Sequence, residues 1–188
     1  MADNDASKVG IGAAGKVYIA PKGTTLPTDA TTTLSSAYVN FGYVSDAGVT
    51  MSESDSSNTL RAWGGDAVVT VSSEHSETVA FTPIEVNETV LKALYGDDNV
   101  EVTAGSGNTP TTIVAKHKGQ TMPQVVIVIE AIPNAETKAR YVMPLAQLTA
   151  RGDASLTGTS FQGREMTYTG AADANGVTLY EYQAITEE

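Results

Sequence analysis

Between Ala67 and Gly96 the chain changes its period once, and that change limits the fold more than any other stretch. From Val69 to Phe81 every second residue (Val69, Val71, Ser73, His75, Glu77, Val79, Phe81) is apolar at both ends and polar in the middle. The intervening set, Thr70, Ser72, Glu74, Ser76, Thr78, Ala80 and Thr82, is small and mostly polar. A period of two means a strand with opposed faces, and the wholly polar set marks a face that meets water. The run exceeds an ordinary strand, which places a turn or bend near Ser73 to Ser76 that would split it into a hairpin. Pro83 ends the ladder. Asn87 is an N-cap, Val90, Leu91 and Leu94 share a helical face, and Gly96 supplies the C′ residue with positive φ. A two-faced strand pair with one short helix, Asn87 to Tyr95, against it is the expected nucleus.

The remaining chain supplies more strands. Val17 to Ala20 is the first, followed by a loop rich in proline, glycine and threonine (PKGTTLPTDATTT). Tyr38 to Val44 alternates, with Gly42 at a bulge or close approach. Val49 to Ser54 leads to an acidic, serine-rich turn (SESDSSN) and a short strand near Leu60. Val100 to Ala104 and Thr111 to Lys116 form a hairpin around GSGNTP. Gln124 to Ile132 is nearly all β-branched, the pattern of a strand buried on both faces. Arg140 to Ala150 carries Pro144, which marks an edge or bulge. Ser155 to Thr169 and Val177 to Gln183 form a last hairpin across GAADANG. About ten strands and one helix read as mainly β, a curved β-sandwich or open barrel with one short flanking α-helix. The 188 residues fit one domain, or two small ones; residues 1–15 read as a mobile arm and 16–188 as a single β-sandwich domain.

Function classes fall away by chemistry. Acidic residues outnumber basic ones 22 to 11, a net charge of −11, which repels nucleic acid. Cysteine is absent, which removes disulfides, thiol catalysis and thiolate metal sites. No apolar run approaches the ~18 residues of a membrane span, and the N-terminus lacks a basic and then apolar leader, so synthesis in the cytoplasm is expected. Gly10, Gly12 and Gly15 spell GxGxxG, but Lys16 opens a strand where a phosphate loop needs a helix. His75 and His117 lie far apart without hydrolase or metal spacing, and His117 reads as a solvated loop residue. The carboxylate pairs Glu53/Asp55, Glu85/Glu88 and Asp97/Asp98 read as solvated faces, Arg151-Gly152-Asp153 as a tight turn, and the Asn87 sequon as a helix cap. Trp63, the single tryptophan, reads as a core or interface anchor rather than a ligand platform. No enzyme, cofactor, nucleotide or transition metal is expected.

The ordered segments GKVYIAPKGTTLPTDA, LSSAYVNFGYVSDAGVT, RAWGG with the alternating strand and NETVLKALYG, RYVMPLAQLTARGDASLTG and MTYTGAADANG resemble the major tail tube proteins of long-tailed, siphovirus-type phages, particularly those of actinobacteria. The resemblance covers about Gly15 to Gln183. It implies hexameric rings of this chain stacked into a tube through which DNA is ejected without specific binding. It also implies a place in the virion, no membrane, and tape measure, terminator and distal tail proteins as partners. An acidic, hydroxyl-rich wall suits that role, because each lysine or arginine on phosphate adds affinity that slows passage. Thr70, Ser72, Glu74, Ser76 and Thr78 are the expected lumen face, with Glu53 and Asp55 beside them. A monomeric carbohydrate-binding or adhesin-like module and another head or tail structural protein are the alternatives; the former needs exposed aromatics, and aromatics are 6% of the chain.

Overall fold

A computed structural model describes Gly10 and residues 14–134, 136–159 and 161–186. The elements run β1 (Ala14–Pro21), β2 (Val39–Asn40), β3 (Val44–Arg61), β4 (Ala67–Pro83), α1 (Glu88–Tyr95), β5 (Val100–Thr103), β6 (Thr112–Ala115), β7 (Gln124–Ile132), β8 (Thr137–Arg151), β9 (Met166–Gly170) and β10 (Tyr180–Ile185). Eight strands form one antiparallel sheet in the order β2-β1-β7-β8-β9-β4-β3, with β10 also on β8; β5 and β6 form a separate ribbon. The chain is mainly β, and its sheet does not close into a barrel, as a β-sandwich requires. Expectations for residues 1–9 and 11–13 of the arm lie outside the described residues.

β7 occupies the position its β-branched run requires, between β1 and β8, with Val126, Ile127, Val128 and Ile129 buried. Alternate residues feed two clusters. Ile127 and Ile129 join Val17, Phe41, Val79, Phe81, Met143, Leu148, Met166 and Tyr168 in the main core, which α1 covers with Val90, Ala93 and Leu94. Val126 and Val128 pack on the other face with Tyr38 and Val142 beneath the loop carrying Leu26 and Leu34. Phe81 joins the two ends of the curved sheet: its ring meets Phe41 edge-on at 5.0 Å and stacks on Tyr168 at 6.0 Å.

The helix forms as its caps predict. Asn87 accepts the Val90 amide at 2.9 Å and donates to the Phe41 carbonyl at 3.2 Å, tying the cap to the core. Gly96 has φ 86°, a conformation that disfavours side chains. Gly42, at φ 89°, lets the Glu85 carboxylate approach so closely that an added Cβ would lie 2.3 Å from it.

Several expectations are corrected. Ala14 and Gly15 belong to β1, not the arm, and a Cβ on Gly15 would sit 2.8 Å from the Glu130 carbonyl; its glycine serves strand packing, not phosphate. The serine-rich SESDSSN is strand, not turn, because its backbone pairs with β4 along nearly all of β3. β4 is one continuous strand from Ala67 to Pro83 and does not split at Ser73–Ser76. β9 and β10 are not a hairpin. Both pair with β8, β10 along Thr137–Val142 and β9 along Ala146–Arg151. The handover falls at Pro144 and Leu145, where two residues of β8 oppose one of β7; this is the bulge that proline predicts. Arg151 ends β8 and donates to the Leu94 carbonyl at 2.7 Å, so the RGD triplet anchors a helix end rather than making a tight turn. His117 is an exposed loop residue as expected, and one side of its ring stacks on Tyr95 at 4.0 Å.

Candidate assembly surface and channel face

The β3–β4 hairpin is the most exposed element that the fold builds with care. Its base is held by the core through Val79 and Phe81, and β9 pairs with β4 from Thr78 to Phe81. Beyond Thr78 the two strands have only each other, and every residue from Glu53 to His75 is exposed. A chain of threonine, serine and valine keeps this ribbon extended because β-branched and small polar residues suit a pleated surface wet on both sides.

One bulge sorts its side chains. Ser56 pairs with Glu74 while Ser57 pairs with Ser72, so Ser73 is the extra residue. Paired residues share a face, and one extra residue exchanges the faces beyond it. Glu74, Ser76 and Thr78 therefore lie with Ser52, Ser54 and Ser56 on the face away from the core. Thr70 and Ser72 lie with Thr59 and Ser57 on the other face, where the Thr59 and Thr70 hydroxyls meet at 3.1 Å. Glu53 and Asp55 also occupy that second face, paired with Glu77 and His75. The seven residues expected to form one surface thus divide: Glu74, Ser76 and Thr78 on one side, Thr70, Ser72, Glu53 and Asp55 on the other. An unbroken alternation in sequence conceals a bulge, which is why the single face was expected.

The outward face continues across the sheet. Ala80 pairs with Thr167 and Thr78 with Thr169, and the Thr169 hydroxyl meets that of Thr149 on β8 at 2.8 Å. Four adjacent strands, β3, β4, β9 and β8, present serine, threonine and alanine, with Glu74 as the charged group that the expected set contributes. On the opposite face His75 gathers partners that lie far apart in sequence. Its Nδ1 is 2.7 Å from Asp55 Oδ1 and 3.9 Å from Glu53, and its Nε2 is 3.1 Å from the Thr178 hydroxyl and 3.7 Å from Glu77. The hydrogen bond to Asp55 above all, with the charges of Glu77 and Glu53, raises the histidine pKa above its ordinary value. Glu53, His75 and Glu77 are close enough to hold a cation; no spacing rule would find them, because the register of β3 against β4 makes the cluster.

Trp63 stands at the turn of the hairpin with its side chain wholly exposed, and Leu60, Val68, Val69 and Val71 are exposed near it. The core half of its expected role is overturned. The turn closes on itself instead, through Ala62 and Asp66, with Gly65 at φ 92° and Arg61 donating to the Gly65 carbonyl at 2.9 Å.

The sequence that builds this sheet matches the family model of phage tail tube proteins over residues 1–186. The chain belongs to the phage tail tube protein family. It is therefore a structural, non-enzymatic virion component, built to assemble with other copies and with tail components. No curated protein matches the chain. Among the described residues no helix of this tail tube protein is long and apolar enough to cross a membrane.

Proposed function

We propose that this tail tube protein forms hexameric rings that stack into the tube of a siphovirus-type phage, of the kind infecting actinobacteria, and that the tube conducts DNA at ejection. The observation that carries the proposal is the hydroxyl-rich face across β3, β4, β9 and β8. It lies opposite the core and α1, so a ring that places its helices outward turns this face toward the axis. Serine, threonine and alanine give DNA no cation to bind, and Glu74 adds a negative charge per subunit at the wall. The lumen set is accordingly Ser52, Ser54, Ser56, Glu74, Ser76 and Thr78. Thr70, Ser72, Glu53 and Asp55 look the other way.

The free edge of β3 supports ring closure. An exposed row of unpaired backbone groups is an aggregation hazard that cyclic assembly removes by pairing it with a neighbour. Trp63 and the valines of the hairpin would bury against the body of another copy, keeping the interface part of its expected role. The sheet that begins at Ala14 acts as one domain, and the N-terminal arm before it reaches toward a neighbouring ring. Tape measure, terminator and distal tail proteins would meet the lumen and the two ends.

The decisive experiment is electron microscopy of the purified protein across a concentration series. Six-fold rings or hollow tubes are expected, with the Glu74 face resolved at the inner wall. Solid aggregates, monomers at every concentration, or the same face on the outer wall would overturn the proposal.

A further inference from the structure

The hydrogen bonds behind the His75 ring decide which of its nitrogens is free to bind something. The Thr178 hydroxyl has one proton and donates it to Glu77 Oε2, so its oxygen is left to accept from Nε2 at 3.1 Å. A neutral histidine that gives its ring proton from Nε2 keeps a lone pair at Nδ1. That lone pair faces two carboxylates of the neighbouring strand, Asp55 Oδ1 at 2.7 Å and Glu53 Oε1 at 3.9 Å. Three acceptors therefore converge with no proton among them, and a positive charge has to stand between them. A proton on Nδ1 would satisfy Asp55 alone. Among the described residues Glu53 has no hydrogen-bond donor, and it lies directly across the ladder from Glu77, a like-charge pairing that destabilises two strands. A divalent ion serves Nδ1, Asp55 and Glu53 together.

We propose that the root of the β3–β4 hairpin is a binding site for a divalent first-row metal ion of the Zn²⁺ or Mn²⁺ class, held by His75 Nδ1 and the carboxylates of Glu53 and Asp55. One atom each of Glu53, His75 and Glu77 already lies within 4.8 Å of the other two. Donors about 2.1 Å from one ion lie about 3 to 4 Å apart, so small side-chain rotations close the set. Glu77 adds negative charge and, through the Thr178 hydroxyl, fixes the tautomer and aims the ring, the part that a hydrogen-bonded partner plays behind a metal-binding histidine. Thr178 is 8% exposed and keeps its place, while His75, Glu53 and Asp55 are open to solvent, so an ion can enter and water can complete its coordination. The donors also select the metal. Carboxylates alone suit Ca²⁺ or Mg²⁺, whereas an imidazole beside them favours a transition ion. Spacing in the sequence excludes such a site, but the ladder assembles it from two strands and a loop. It lies on the face opposite Glu74, so it stands whether or not that face lines a channel.

The test uses the soluble protein, stripped with EDTA and exchanged into metal-free buffer at pH 7. Calorimetric titration with ZnCl₂ is expected to show one site, and CaCl₂ or MgCl₂ at the same concentrations none. By NMR, Zn²⁺ should shift the His75 ring and leave the His117 ring unchanged. Trace MnCl₂ should broaden the amides of residues 53–55, 75–77 and 178 before any others, a map that needs no variant and so decides the matter even if a variant folds poorly. His75→Gln should abolish the Zn²⁺ heat. Thr178→Ala should weaken binding at least about tenfold and Thr178→Ser restore it, a rescue expected of a hydroxyl that orients the ring. Absence of Zn²⁺ binding at millimolar concentration would overturn the proposal and leave a proton as the charge between the carboxylates. So would broadening centred elsewhere, Zn²⁺ binding that survives His75→Gln, or Ca²⁺ binding as tight as Zn²⁺ with the His75 ring unmoved.

Discussion

Ser56 lies directly across the ladder from Glu74, and that single pairing, out of step with Ser57 and Ser72, decides which side chains of the hairpin share a wall. Substitutions on either side of the bulge are therefore expected to report opposite environments although they alternate perfectly in sequence.

Lysines at Glu74 and Ser76 should leave tube assembly possible while adding a ring of positive charge at each layer. The tubes should then retain DNA at low salt and release it at high salt, the signature of counterion release. The same two lysines at Thr70 and Ser72 should leave DNA unbound at every salt concentration. Filter retention of labelled DNA across a salt series checks both; retention by the second pair and not the first would reverse inside and outside.

Trp63→Ala should shift the stability of the isolated chain by no more than about 0.5 kcal/mol, since the side chain is wholly exposed and touches no core residue. Polymerisation should fail or need a much higher concentration. Thermal melts beside light scattering separate the effects, and a large loss in the melt would contradict the exposed position.

Arg140 is 2% exposed and donates to the carbonyls of Asp29 at 2.6 Å and Thr32 at 2.8 Å and to Glu130, fastening the long loop after β1 to the sheet. Its Nε has no partner, so the group is held by three contacts rather than a full set. Arg140→Ala should cost about 3–5 kcal/mol, because it leaves Glu130 uncompensated and frees the loop. Denaturant unfolding gives the loss, and limited proteolysis should cut within residues 22–37 first.

Asp29 caps the same loop, accepting the Thr32 hydroxyl and the Thr31 and Thr32 amides at 2.6 Å each. Those bonds, the Thr32 hydroxyl foremost, pull its carboxyl far below the usual range. A depressed folded pKa gives stability that is present above the unfolded value, near 4, and lost as pH falls through the folded one. Asp29→Asn should therefore flatten the dependence of stability on pH below about 4 while leaving that near neutrality little changed. Urea midpoints at pH 2.5, 4 and 7 measure it; an unchanged acid limb would show that other carboxylates, such as Asp173 and Glu101, carry it.

What the residues disclosed depended on whether local or distant partners decide the structure. β7 and α1 were legible, bounds included, because a β-branched run and a capped amphipathic turn carry their own signals. The serine-rich half of β3 was not: its composition suits a turn, and only pairing with β4 makes it strand. The core reading of Trp63 failed because size argues for burial, whereas the hairpin carries it away from the core. The partners of His75 lie 20 and 103 residues away, beyond any spacing rule. The alternation of the hairpin could be read; which side chains share a face could not, since one added residue at Ser73 exchanges sides.

The hairpin leaves the sheet at Thr78, and the eleven residues from Ala67 to Glu77 extend it by about 35 Å at roughly 3.3 Å per residue. Over that length it projects beyond the rest of the sheet, each strand paired only with the other. In the proposed stack, a contact between such a tip and the body of the next copy along the axis joins unlike surfaces, and unlike contacts that do not close into a ring repeat as an open array. A tube built in that way would have polarity: one end would offer empty seats and the other a crown of unseated tips. Growth can therefore begin on one kind of partner and be arrested by a different kind.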